Sequence, residues 1–244
     1  PTYSLLVQPS FNRVYAKGAA AIGAAELDTI AALARPGRFQ PATQVRRGGV
    51  DYLDVTTDDE LGAADLQLLA ELSSTFTLFA ARDDGALLPL ACAPTALFDD
   101  DLLSTLRYSG KTNDQFTKLL LNLALAASDG GIDALVGGGI PAGEQQRFRV
   151  LDPVCGRGTT LNQAVMQGLD AVGIDAAKKD HELYVAFLKK YLQDHRVKHS
   201  SESFTVKKGP AAPAARTTFT ITPPPGHRPV ETTEKLSVDV IYGD

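Results

Sequence analysis

Residues 148–175 read FRVLDPVCGRGTTLNQAVMQGLDAVGID, and this stretch decides the fold. A short apolar run at 148–151 is typical of a buried strand, and a loop with two glycines follows it. Residues 161–169 have the composition of a helix, 171–174 form a second apolar run, and Asp175 comes directly after it. A strand, a glycine loop, a helix, a strand and an acid predict one βαβ unit of a parallel sheet.

The loop has the features of an anion- and nucleoside-binding turn. Gly156 and Gly158 let the backbone come close to a ligand. Because the loop opens a helix, its amides favour an anionic group such as the carboxylate of an amino-acid moiety. Asp175 stands 23 residues after Asp152, where a carboxylate that accepts hydrogen bonds from ribose hydroxyls is expected. The stretch is neither a dinucleotide fingerprint, because Leu161 stands at the third glycine, nor a P-loop.

The stretch LDPVCGRGTTL at 151–161 resembles the nucleotide loop of class I S-adenosylmethionine-dependent methyltransferases, and in particular the branch that methylates amino groups of DNA or RNA bases. The stretch GKTNDQFTKLLLNLAL at 110–125 is similar to the helix that precedes this loop in relatives of THUMP-type tRNA guanine-N2 methyltransferases. The resemblance implies an N-terminal mixed α/β module at 1–108 that binds RNA. It also implies a Rossmann-like domain at 109–244 with about three parallel strands.

The resemblance also implies which residues bind S-adenosyl-L-methionine. Asp152, Gly156 and Gly158 would shape the loop and contact the methionine end, and Asp175 would hold the ribose. Asp244 would approach the adenine amine, and residues 111–113 with Phe116 would form a lid. The cofactor-binding residues expected on this basis are Asp152, Pro153, Cys155, Gly156, Gly158, Thr159, Asp175, Asp244, Asn113 and Phe116.

The sequence departs from the family at the catalytic motif. Amino-methylating relatives carry an [Asp/Asn]-Pro-Pro-[Tyr/Phe] tetrapeptide that holds the target amine and stacks on an extruded base, and none occurs here. Catalytic residues therefore stay unassigned, and the chain is expected to be a truncated form or a fragment of a longer enzyme. Methyl transfer to a base amine of RNA, tRNA above all, is the leading interpretation. The same chemistry on DNA and a non-catalytic binding module stay open as alternatives.

Sequence patterns predict the elements around the loop. In the N-terminal part we expect strands at 3–7, 50–55 and 86–93, with helices at 19–35 and 64–81. A helix at 109–128 has Thr112 as its expected N-cap and Gln115 three residues later. After it we expect a flexible glycine-rich loop at 130–143, a helix at 178–194, an exposed proline-rich excursion at 211–227 and a strand at 236–242.

Composition excludes several classes of protein. Apolar residues make up 44% of the chain, which suits a packed core. No apolar run reaches the roughly 18–20 residues of a membrane helix. The N-terminus lacks a secretory signal, and two cysteines cannot build a disulfide framework, so a cytoplasmic protein is expected.

Charge and the remaining reactive side chains complete the sequence predictions. The net charge of −5 divides into −7 for residues 1–140 and +2 for 141–244, and 178–216 carries nine basic against four acidic residues. That cluster is a solvated helix face or a docking point for a polyanion. Cys155 is expected to pack in the loop rather than act as a nucleophile. No metal site is expected, because the histidines are loosely spaced and no carboxylate set accompanies them. The acidic run 99–101 is expected to be a solvated turn or the start of a helix.

Overall fold

A computed structural model of the chain describes residues 1–10, 12–92, 96–137, 147–206, 214–224 and 235–243. It confirms the expected mixed α/β class, and the described residues form two five-stranded sheets. The chain forms two compact units: Pro1–Ala93 with Lys118–Val136, and Pro94–Thr117 with Gly137–Asp244. The sequence had led us to expect a boundary between residues 108 and 109.

Helices and strands are mixed along the chain. The first seven are β1 (Thr2–Val7), α1 (Arg13–Ala34), β2 (Thr43–Arg47), β3 (Val50–Thr56), α2 (Ala63–Ala70), β4 (Thr75–Ala81) and β5 (Leu87–Pro89). The helices α3 (Asp101–Ser104), α4 (Asp114–Ala126) and α5 (Gly131–Gly137) come next. The last seven are β6 (Arg149–Asp152), α6 (Thr159–Met166), β7 (Asp170–Asp175), α7 (Lys178–Asp194), β8 (His199–Val206), β9 (Ala214–Ile221) and β10 (Leu236–Tyr242).

The first sheet has the strand order β2-β3-β1-β4-β5, and every pair in it is antiparallel. Elements β1 to β4 with α1 and α2 therefore have the split βαβ arrangement, in which two helices cover one face of the sheet. Alternation along the strands sends Leu5, Leu53 and Leu78 to the buried face, where each is about 1% exposed.

A buried carboxylate joins three parts of the first unit. Glu26, on α1, is 2% exposed. Its Oε2 accepts hydrogen bonds from the backbone amide of Ser73 at 2.9 Å and from the Ser73 hydroxyl at 2.5 Å, and its Oε1 accepts one from the Asn122 amide at 2.7 Å. Burial raises the pKa of Glu26, against the opposing effect of these hydrogen bonds and of the Lys118 charge. The donors on a turn and on α4 thus satisfy a group that water cannot reach.

The second sheet has the order β6-β7-β10-β9-β8. The strands β6, β7 and β10 are parallel, as the sequence predicted, and β9 and β8 extend the sheet antiparallel. Val238 and Val240 on β10 are fully buried at its centre. Parallel β6 and β7 bring the ends of both strands, and with them Asp152 and Asp175, to the same edge of the sheet.

Four expectations from the sequence were wrong in this part of the description. The run 64–81 is not one helix, because α2 ends at Ala70 and 75–81 is a strand, β4. Residues 131–137 are helical, as α5, where a loop was expected. The excursion expected at 211–227 contains β9, which pairs with β10 and with the unpredicted β8. The N-cap of α4 is Asn113 and not Thr112, because Asn113 Oδ1 accepts the Phe116 amide at 2.9 Å.

Candidate functional site

The glycine loop lies between β6 and α6, at the carboxyl edge of the second sheet. The Cys155 amide donates to the carbonyl of Ile174 on β7 at 2.9 Å, which fixes the loop to the neighbouring strand. The Gly158 amide donates to the Cys155 carbonyl at 2.8 Å and closes the turn. The loop is therefore held in place by its own backbone, and its tip, Pro153 and Val154, is exposed.

The two predicted glycines have different structural roles. Both have a left-handed backbone, with φ of 50° at Gly156 and 79° at Gly158. A Cβ on Gly156 would meet no atom within 4 Å, so the space above this residue is open. A Cβ on Gly158 would lie 2.2 Å from the ring of Tyr184. Gly156 thus faces the open side of the loop, and Gly158 provides room for a buried ring.

Asp175, the last residue of β7, lies next to the loop. Its Oδ2 accepts the Gly156 amide at 2.8 Å, and its Oδ1 accepts the Ala177 amide at 2.8 Å. A carboxylate oxygen has a second lone pair, so these bonds leave acceptor capacity on both oxygens. The carboxylate therefore holds the loop and can still accept hydrogen bonds from hydroxyl groups.

The end of β10 reaches the same edge. Tyr242 stands opposite Asp175 in the parallel register, and the Gly243 amide donates to the Asp175 carbonyl at 3.2 Å. The adenine role expected for Asp244 concerns a residue outside the described part of the chain. The structure thus brings the ends of β6, β7 and β10 together around the loop.

Cys155 is a packing residue in this geometry. Its side chain is buried, and its Sγ lies where a Cβ on Gly173 would approach to 2.7 Å. Burial, together with the negative charges of Asp152 and Asp175, raises the pKa of the Cys155 thiol to about 12. Because the thiolate is the reactive form, this thiol is inert at neutral pH.

The remaining expected residues have local structural partners. Asp152 Oδ1 accepts the Val154 amide at 3.0 Å, which forms the turn after β6. Thr159 is buried, and its hydroxyl lies 3.4 Å from the hydroxyl of Tyr108. Asn113 caps α4, whereas Phe116 is 40% exposed.

Sequence reasoning missed the support of the loop. Arg157 Nε donates to Asp180 Oδ1 on α7 at 2.9 Å, and its guanidinium lies 4.7 Å from the centre of the Tyr108 ring. The buried Tyr184 hydroxyl donates to Asn162 Oδ1 at 3.0 Å. These partners are separated by 22 residues or more, and no periodic pattern in the sequence links them.

Comparison with known proteins adds nothing to this geometry: no protein-family model matches the chain, and no curated protein matches it. In the described parts of the chain, no helix combines the length and the apolar character needed to cross a membrane.

Proposed function

We propose that the chain binds S-adenosyl-L-methionine at the glycine loop and belongs to a Rossmann-like methyltransferase that acts on an exocyclic amine of a base in RNA, with tRNA as the first candidate. The observation that carries the proposal is the hydrogen bond from the Gly156 amide to Asp175. Gly156 has a left-handed backbone, and the space where a Cβ would stand is open. A carboxylate at the end of the second strand suits a ribose, and an open glycine loop at the start of a helix suits the anionic end of the cofactor.

The chain's own residues would divide the work of binding. Asp175 would accept the ribose hydroxyls, and the open backbone at Gly156 would admit the amino-acid end of the cofactor. Tyr242 and Gly243, at the end of β10, would border the adenine. When bound, S-adenosyl-L-methionine supplies an electrophilic methyl group on a sulfonium. Since the cofactor brings the reactivity, the protein's part is to hold the two reactants in line.

Fewer observations support the choice of RNA as the substrate. The split βαβ unit formed by β1 to β4 fits a separate recognition module, and the excess of basic residues over 178–216 suits a polyanion. Both observations apply equally to DNA, and the RNA preference comes from the resemblance. Two free cysteines, Cys92 and Cys155, agree with a reducing cytoplasm as the working location.

A second candidate function is favoured by the sequence itself. Because the chain lacks an [Asp/Asn]-Pro-Pro-[Tyr/Phe] tetrapeptide, it has no recognised group to hold a target amine. A module that binds the cofactor or a nucleic acid without catalysing transfer accounts for this observation directly.

The first prediction tests the binding site. Asp175→Ala should weaken binding of S-adenosyl-L-methionine more than tenfold in titration calorimetry, because it removes the ribose acceptor and the acceptor of the Gly156 amide. Asp194→Ala, which removes an exposed carboxylate from the end of α7, is the charge-matched control and should leave the affinity unchanged. Equal affinities in the wild type and Asp175→Ala would reject the ribose assignment.

Methyl transfer is measured on the same protein with S-adenosyl-L-methionine that carries tritium in its methyl group, and with bulk tRNA and duplex DNA as substrates. Label in tRNA supports the leading proposal, and label in DNA alone replaces RNA by DNA as the substrate. Cofactor binding without label in either nucleic acid selects the non-catalytic module.

A further inference from the structure

Three potential metal ligands converge at the carboxyl end of α7, away in sequence from the glycine loop. Asp99 and Asp101 stand before and at the start of α3, and His195 follows the last residue of α7. His195 Nε2 lies 2.9 Å from Asp101 Oδ2, and His195 Nδ1 lies 3.4 Å from Asp99 Oδ2. One ligand atom from each residue lies within 4.8 Å of the other two.

The acidic turn is held by two hydrogen bonds to residues of α6. The Leu97 amide donates to the Met166 carbonyl at 2.9 Å, and the Leu102 carbonyl accepts the Asn162 side-chain amide at 3.1 Å. Hydrogen bonds therefore fix the chain to α6 on both sides of the two carboxylates. The backbone that carries the two carboxylates is thus fixed before an ion binds.

The imidazole is oriented by a second, independent contact. The His195 ring stacks on the Tyr191 ring, with centroids 4.2 Å apart and planes inclined by 24°. The His195 amide donates to the Tyr191 carbonyl at 3.0 Å. Tyr191 is 5% exposed, so the ring against which the imidazole rests is fixed in the core.

One carboxylate oxygen of the cluster has no hydrogen-bond donor among the described residues. This atom, Asp101 Oδ1, is buried, although the Asp101 side chain as a whole is 45% exposed. Two carboxylates therefore lie beside one imidazole, and a cation bound between them would satisfy this oxygen.

We propose that Asp99, Asp101 and His195 form a binding site for a divalent transition-metal ion, with Zn²⁺ as the representative. An imidazole with two carboxylates suits zinc, whereas Mg²⁺ prefers oxygen ligands alone. One imidazole nitrogen would bind the ion, and water would complete the coordination shell. The ion would join the turn before α3 to the end of α7, independently of the function proposed for the glycine loop.

The test is calorimetric titration of the untagged full chain with ZnCl₂ and with MgCl₂ at pH 7.5. We expect one Zn²⁺ per chain, and no heat from MgCl₂ at the same concentration. His195→Asn and Asp101→Asn should each lower the zinc affinity at least tenfold. The matched control His199→Asn removes a different histidine from the same unit and should leave the affinity unchanged.

Thermal melting without metal shows whether each variant folds. If His195→Asn does not fold, Asp99→Asn provides another ligand variant. Titration with CoCl₂ gives a second readout, because visible absorption of the bound ion reports nitrogen and oxygen coordination. Absence of zinc binding overturns the proposal. The proposal is also overturned if His195→Asn and both aspartate variants bind zinc as tightly as the wild type, since the ion would then lie elsewhere.

Discussion

Gly156 and Gly158 share a left-handed backbone, but only Gly158 is enclosed. Its missing Cβ leaves space for the ring of Tyr184, which is fully buried and hydrogen-bonded to Asn162. Any side chain at 158 must displace this ring or strain the loop. The glycine pair that identified the loop in the sequence therefore makes room for a buried ring at one position and leaves open space at the other.

This difference predicts unequal costs for two matched substitutions. Gly158→Ala should lower the free energy of unfolding by at least about 2 kcal/mol, since it adds overpacking to backbone strain. Gly156→Ala adds strain alone and should cost about 1 kcal/mol. Urea denaturation of both variants measures the difference. Equal losses would mean that the contact with Tyr184 is not tight.

At the scale of single elements, the start of α4 shows how a cap is chosen. Asn113 Oδ1 accepts a hydrogen bond from the Phe116 amide, and the Asn113 carbonyl accepts one from the Thr117 amide at 2.9 Å. Asn113 is therefore the N-cap residue of α4. Asn113→Ala should therefore cost about 1 kcal/mol of stability. Thr112→Ala, one residue earlier, should change it by only a few tenths. The reverse order in thermal melts would restore Thr112 as the cap.

The buried carboxylate on α1 predicts a pH dependence. The unfolded chain titrates Glu26 near its ordinary pKa of 4.5, whereas burial raises the pKa in the folded chain. Between these two values the folded chain binds more protons than the unfolded chain, so its stability falls as the pH rises above about 4.5. The loss is complete once the pH passes the folded pKa.

Glu26→Gln removes this titration. Its stability relative to the wild type should therefore improve steadily as the pH rises from 4.5, as measured by urea denaturation at several pH values. Glu60→Gln changes an exposed carboxylate in the same unit and is the control. A difference between Glu26→Gln and the wild type that does not vary with pH would contradict the raised pKa.

At the scale of the whole molecule, each sheet has a doubly paired central strand. Strand β1 pairs with β3 and β4, and β10 pairs with β7 and β9, whereas β2 and β6 lie at sheet edges. Hydrogen exchange followed by mass spectrometry should find the slowest amides in β1 and β10, as two separate protected cores. Protection of β6 equal to that of β10 would contradict this pairing.

Much of the second unit was predictable because its signals are local. Helix α7 begins and ends at the expected residues, and the order of strand, glycine loop and acid gave the parallel arrangement of β6 and β7. The glycines, Asp152 and Asp175 were also expected around one loop. Their proximity follows from the geometry of parallel strands, which a short stretch of sequence determines.

The failures arose where one pattern fitted two structures or where contacts are distant in sequence. Leu66, Leu69, Leu72 and Phe76 have helical spacing, yet the residues from Thr75 onward are β-branched and aromatic and form β4. Prolines on both sides concealed the alternation of Thr217, Phe219 and Ile221 in β9. His195 stands 94 residues after Asp101, so no spacing rule could connect them.

The contact between position 158 and the Tyr184 ring has an evolutionary consequence. The two positions share one volume, so a chain with alanine or serine at 158 has room only for a smaller residue at 184. Homologous sequences should therefore change at these two positions together, even though 26 residues separate them.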